Sequence, residues 1–266
     1  MSETRFKFGR NWKAYVKTIT DDRIDSSMTD IQTALGVKSL KGKTFLDVGS
    51  GSGLSSLSAY KMGATVTSYD YDMDSVECTE YLRDLKKAKQ ERWSVAQGSA
   101  LDKKYHKTLD EFDVVYSWGV LHHTGDMWSA LENVTLNVKK GGKLFIALYN
   151  DQGFYSKVWA RIKKTYSGSI TPVRWLMVAI FALYFTSRGF VYDIICKRNP
   201  LKRYKGSDRG MSIFYDWIDW IGGYPFEVST PEQIFNFYRD KGYELEYLKT
   251  ARGSHGCNVF VFKRVK

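Results

Sequence analysis

The sequence predicts an α/β protein built on a doubly wound parallel sheet with helices on both faces. Three observations carry this. Residues 45–53, FLDVGSGSG, run from an apolar strand into a glycine turn, and Leu54, Leu57 and Ala59 follow at helical spacing. Strand-like and helix-like stretches then alternate up to residue 151, with no proline in any of the five strands. The chain closes on a helix starting at Pro231 and two strands, YELEYLKT and CNVFVFKR, joined by the glycine-bearing turn ARGSHG.

A chain of 266 residues, 43% hydrophobic, holds one large α/β domain with a sizeable insertion. The expected division is a helical lid segment (1–43), a ligand-binding core (44–151), a basic, aromatic and helical insertion (152–229), and a final helix and hairpin completing the sheet (230–266). The net charge of +11 is concentrated in one part of the chain. Residues 1–150 carry 21 Lys and Arg against 19 Asp and Glu, whereas residues 152–209 carry 12 against two. Cys78, Cys196 and Cys257 have neither paired nor metal-ligand spacing, which predicts a reduced, cytoplasmic protein without a metal. The opening MSETRFKFGRNW has no apolar run of signal-peptide length.

In chain order, Phe8, Trp12 and Tyr15 interleave with basic residues, either as an amphipathic packing helix or as a lid over a ligand pocket. A helix from about Asp25 to Leu35 follows. The glycine turn reads G-x-G-x-G, with Leu54 where a dinucleotide fingerprint has its third glycine. ATVTSYDYD fits a short strand ending at Asp70, 19 residues after Gly51, the distance at which a carboxylate reaches a ribose diol in a βαβ nucleoside site. Asp74 is assigned the cap of the next helix. WSVAQGSALD is a third strand and small-residue turn. FDVVYSWGVLHHTGDMWSALENV, residues 112–134, places Ser117, Trp118 and Gly119 at the ligand edge of a fourth strand. His122 and His123 follow, either as a general base or as packing residues, with His122 the first choice for the base. KLFIALYN is the fifth strand and brings Tyr149 and Asn150 to the same edge.

The insertion contains an uninterrupted apolar run from Trp175 to Phe185, only 11 residues and about half a bilayer span. It either caps the domain, covers a lipophilic pocket, or meets an anionic membrane through the basic residues of 157–205. Aromatics clustered around Gly222-Gly223, with Trp217, Trp220 and Tyr224 foremost, suit a substrate wall or packing against the core. They serve a homo-oligomer equally well.

The glycine turn, Asp70 and the SWGVLHH turn together resemble the class I S-adenosylmethionine (SAM)-dependent methyltransferases, especially the ubiquinone- and menaquinone-type small-molecule enzymes. The resemblance is close over residues 44–150. It implies a Rossmann-like seven-stranded methyltransferase sheet, with a mainly helical insertion between the fifth strand and the last helix. It also implies SAM as cofactor, held by Asp47, Gly49, Ser50, Gly51 and Gly53 in the first turn and by Asp70 and Tyr71 after the second strand. Ser99, Ala100 and Leu101 would border the adenine; Ser117, Trp118, Gly119 and His122 would line the fourth-strand edge; Phe8 and Trp12 would cover it. His122, His123 and Tyr149 are the catalytic candidates, and Asn150, Trp217, Trp220 and Tyr224 the substrate contacts. The leading expectation is O- or C-methylation of a small aromatic or lipophilic acceptor. Methyl or carboxymethyl transfer to RNA through the basic insertion is less favoured, because those residues flank an apolar helix and form no groove. A non-catalytic, membrane-peripheral SAM-binding protein is the remaining alternative.

Overall fold

The computed structural model describes residues 6, 8–196, 218, 220–252 and 256–266. Trp217 and His255 lie outside the described residues. The strands are β1 (Thr44–Val48), β2 (Thr65–Asp70), β3 (Trp93–Gln97), β4 (Phe112–Trp118), β5 (Val138–Tyr149), β6 (Tyr243–Lys249) and β7 (Cys257–Arg264). They form one seven-stranded sheet in the order β3-β2-β1-β4-β5-β7-β6. The first five strands pair in parallel, and β7 lies between β5 and β6, antiparallel to both. Strand order reverses between β1 and β4, so the turns leaving these neighbours diverge and open a crevice at their C-terminal ends.

Side chains alternate between two apolar cores, one on each face, as the period of two requires. Leu46 of β1, Val115 of β4 and Ile146 of β5 face one core, with Leu131, Ile234 and Phe262. Phe45, Val114, Tyr116 and Phe145 face the other, with Ile24, Ile31, Leu57 and Leu82.

The helices of the core are α1 (Gly9–Tyr15), α2 (Asp21–Leu35), α3 (Leu54–Lys61), α4 (Met73–Leu85), α5 (Lys103–Thr108) and α6 (Met127–Val134). Helix α2 begins four residues earlier than the sequence suggested, and α4 is capped by Asp72 instead of Asp74. Asp72 has the extended backbone a cap needs, and its carboxylate accepts the Asp74 N–H at 3.1 Å. Asp74 is already inside the first turn and pairs with Lys13 at 2.6 Å.

The insertion opens with α7 (Phe154–Gly168) and α8 (Thr171–Ile195). The sequence suggested an apolar element of 11 residues, but α8 has 25. Thr186, Ser187 and Arg188 interrupt the apolar run without breaking the helix, and the apolar sequence resumes at Phe190. By length and composition α8 is able to cross a membrane, with a mean hydropathy of 1.4 over its most apolar 18 residues. Helix α9 (Pro231–Arg239) starts at a capping box, with Thr230 Oγ1 accepting the Gln233 N–H and Gln233 Oε1 accepting the Thr230 N–H.

Candidate active site

The glycine turn after β1 is folded by its own backbone. The N–H groups of Gly49 and Ser50 both donate to the Tyr69 carbonyl, at 2.8 and 3.1 Å, tying the turn to the end of β2. The Gly51 N–H donates to Asp70 Oδ2 at 3.0 Å, and the Asp72 N–H donates to Oδ1 at 2.9 Å. A carboxylate oxygen accepts more than one hydrogen bond, so a ligand hydroxyl can share either oxygen with these amides. Gly49 and Gly51 have φ of 79° and 55°, and a Cβ on Gly49 would run into the Val120 side chain at 2.4 Å. Missing side chains thus bring the β1 turn against the β4 turn.

Below the turn, Asp47 is almost fully buried and accepts a hydrogen bond from Ser56 Oγ at 2.5 Å. Burial, together with the nearby Asp70 carboxylate, pushes its acid up to about 7. Two carboxylates therefore face one space where a cation would relieve the desolvation of one and the repulsion between both.

That space is a cavity of about 700 Å³, within the usual ~300–1,000 Å³ of small-molecule sites. Of the residues expected to bind cofactor, Phe8, Trp12, Asp47, Gly49, Ser50, Gly51, Asp70, Tyr71, Ser99, Ala100, Leu101, Trp118 and Gly119 line it, as do His123, Tyr149 and Trp220. Gly53 instead sits behind the turn as the N-cap of α3, and Ser117 is buried with its hydroxyl donating to the Val48 carbonyl, which ties β4 to β1. Asn150 is turned away and accepts from Asn258 Nδ2 at 2.9 Å. Tyr224 contributes its carbonyl to the Phe6 N–H at 2.9 Å and does not line the cavity.

The two adjacent histidines take opposite tautomers. The Tyr149 N–H, a pure donor, points at His122 Nδ1 at 3.3 Å, so the His122 proton lies on Nε2, a buried atom with no hydrogen-bond partner among the described residues. Burial, reinforced by His123 and Lys163, holds the His122 imidazole far below its ordinary value, so it stays neutral. His122 does not reach the cavity, and its ring lies 3.9 Å from the Tyr149 ring. Of the two histidines expected as catalytic candidates, it is His123 that lines the cavity. His123 Nδ1 lies 2.7 Å from the Pro225 carbonyl, a pure acceptor, so Nδ1 carries the proton and Nε2 is the basic nitrogen of a ring lining the cavity.

Some contributors escaped the sequence. Arg23, Ser27 and Asp30 of α2 line the cavity; the only signal was polar side chains beside the apolar stripe of Ile24 and Ile31. Glu227 accepts the Gly125 and Met127 N–H groups at 3.0 Å each, and its own N–H donates to the His122 carbonyl at 3.0 Å. It clamps the loop carrying Pro225 onto the turn carrying His123.

The family described as "Methyltransferase domain" matches residues 39–177. The chain belongs to that family. The chain is 30% identical over 135 residues to the ubiquinone biosynthesis O-methyltransferase of Coxiella burnetii, covering 50% of this chain and 54% of the relative. To the enzyme of the same name from Aeromonas salmonicida it is 31% identical over 111 residues, covering 42% and 45%. The chain spans about half the length of these curated relatives. In fold the chain is similar to magnesium protoporphyrin IX methyltransferase from Synechocystis PCC 6803, solved with bound SAH, at TM-score 0.51 and 13% identity, covering 91% of this chain and 81% of the other. It is also similar to the cyclase SpnF, at TM-score 0.52 and 12% identity, covering 90% and 80%.

S-adenosylmethionine, which the sequence resemblance implies as cofactor, is a cation with a nucleoside part, and the residues of the cavity fit such a ligand. The glycine turn presents bare backbone to the cavity, Asp70 stands beside it at the end of β2, and the paired carboxylates of Asp47 and Asp70 complement a cationic ligand.

Proposed function

We propose that this methyltransferase transfers the methyl group of SAM to a hydroxyl of a small, aromatic or lipophilic acceptor, with His123 as general base. The carrying observation is His123 itself, whose Nδ1 is held by the Pro225 carbonyl and whose ring lines the cavity with Phe8, Trp118 and Tyr149. When bound, SAM supplies an electrophilic methyl on a sulfonium. With SAM bound, Asp70 would accept hydrogen bonds from the ribose hydroxyls, and the glycine turn would hold the nucleoside. His123 Nε2 takes the acceptor proton, while the Pro225 carbonyl holds Nδ1–H and stabilises the imidazolium that forms. Phe8, whose ring lies 5.1 Å from that of His123, and Trp12 exclude water from the reacting atoms. His122 keeps Tyr149 in place from behind. The aromatic residues of the described site line a cavity of about 700 Å³, a size that suits a small acceptor.

The test is transfer of labelled methyl from SAM in a cell extract, with products partitioned into organic-soluble and nucleic-acid fractions. Label should enter the organic-soluble fraction. His123→Ala should lower the turnover rate by roughly 10²–10⁴-fold while leaving the affinity for S-adenosylhomocysteine unchanged. Label in nucleic acid would replace the acceptor class, and a wild-type rate for His123→Ala would remove the base.

A further inference from the structure

The longest helix among the described residues, α8, presents an uncovered apolar face. Val173, Leu176, Ile180, Leu183, Phe190 and Ile194 follow one another at helical spacing and are each 39–72% exposed. Unlike scattered surface apolar residues, they form one continuous stripe. The opposite face is already used. Val178 packs with Tyr166 and Ile221, Phe181 lies 5.5 Å from Trp159, and the Arg174 guanidinium donates to the carbonyls of Tyr166 and Ser167. Lys157, Arg161 and Lys164 recur on the exposed side of α7 at i, i+4 and i+7. The stretch 152–209 carries 12 basic residues against two acidic ones.

We infer that α8 lies in the plane of an anionic lipid surface, with this stripe in the acyl boundary and Lys157, Arg161 and Lys164 of α7 on the headgroups. Spanning the bilayer is the wrong geometry, because it would strip the packed face from the domain and carry Arg174, Arg188 and buried Asp193 into hydrocarbon. A second copy is the wrong occupant, because two segments of the same strong positive charge would have to meet. An anionic bilayer satisfies the apolar stripe and the basic surround together. It also places the membrane close to the site: Phe181 of α8 touches Trp159, whose ring lies 5.1 Å from that of Trp220, a residue of the cavity wall.

The test is sedimentation of the full chain with vesicles of phosphatidylcholine alone or mixed with phosphatidylglycerol. Docking is independent of methyl transfer, so vesicle binding and methyl incorporation can fail separately. Binding is expected to the anionic vesicles only, and to weaken at about 1 M salt. I180E/L183E should lower it at least about tenfold. K157Q/R161Q/K164Q should lower it roughly a hundredfold, at about 1 kcal/mol per basic residue near the surface. Unchanged S-adenosylhomocysteine affinity in both variants shows that the domain remains folded. Wild-type chain left in the supernatant with anionic vesicles, or an I180E/L183E variant that binds as well as wild type, would overturn the inference. So would a dimer in analytical ultracentrifugation that I180E/L183E disperses while no vesicle binding is seen.

Discussion

Replacing Asp47 by asparagine tests the electrostatics of the site directly. The carboxyl of Asp47 is raised from 3.8 to about 7 by burial and by Asp70, so the folded chain holds this proton more tightly than the unfolded chain does. A raised acid has the opposite sign to the usual salt-bridged carboxylate. Its contribution is most favourable below pH 4, declines as pH rises between the two values, and levels off above about 7. At about 1.4 kcal/mol per tenfold, the interval from 3.8 to about 7 corresponds to an upper bound of about 4 kcal/mol. The substituted amide keeps an acceptor for the Ser56 hydroxyl and carries no charge. Thermal unfolding of both proteins across pH 4–8 should therefore show Asp47→Asn gaining on wild type as pH rises, by at most roughly 8–16 °C at 2–4 °C per kcal/mol. Other groups titrate in both proteins and cancel. Asp113 is one of these: burial works against its carboxylate, yet hydrogen bonds from Thr44 and pairing with Lys139 and Lys43 keep its acid well below the usual range. Saturating SAM, a cation beside two carboxylates, should narrow the gap. Parallel stability curves across the whole range would refute the reasoning.

Asp70→Ala should weaken SAM binding by roughly tenfold to a hundredfold in calorimetry, the scale of losing hydrogen bonds to a charged acceptor. Thr230→Ala removes one half of the capping box of α9 and should cost about 1 kcal/mol in denaturant unfolding, with no change in cofactor affinity. Glu227→Ala leaves the Gly125 and Met127 N–H groups without their acceptor, and turnover should fall more than SAM affinity because the His123 turn loosens. Glu227→Gln, which keeps one acceptor oxygen, should recover part of the loss in the same rate assay.

The parts of the fold read correctly from sequence are those whose causes are local. The glycine turn, the strand before it and Asp70 lie within 26 residues, and hydrogen bonds inside that stretch hold them together. The alternation of Phe45 and Leu46, or of Val114 and Val115, between two cores follows from the strand period alone. The different settings of His122 and His123 were not legible, because that of His123 depends on a carbonyl 102 residues away at Pro225. The presence of α2 in the cavity was hidden for a related reason: Asp30 reads as an ordinary surface carboxylate until the fold brings it to the wall. The length of α8 was obscured by three polar residues that a helix accommodates without breaking, and the cap of α4 turned on a backbone angle at Asp72.

The segment from Tyr224 to Ser229 also bears on the order in which the molecule assembles. Over a few residues its backbone or side chains bond to Phe6, His123, Gly125, Met127 and Tyr149, partners 80 to 218 positions distant. Closing such long loops costs chain entropy that the pairing of β1 to β5 avoids, so these contacts form after the parallel part of the sheet has assembled. They also belong to the part of the molecule able to open while the sheet stays intact. In native-state hydrogen exchange, the amides of Glu227 and Ser229 should open together, and well before those of Leu46 and Val115.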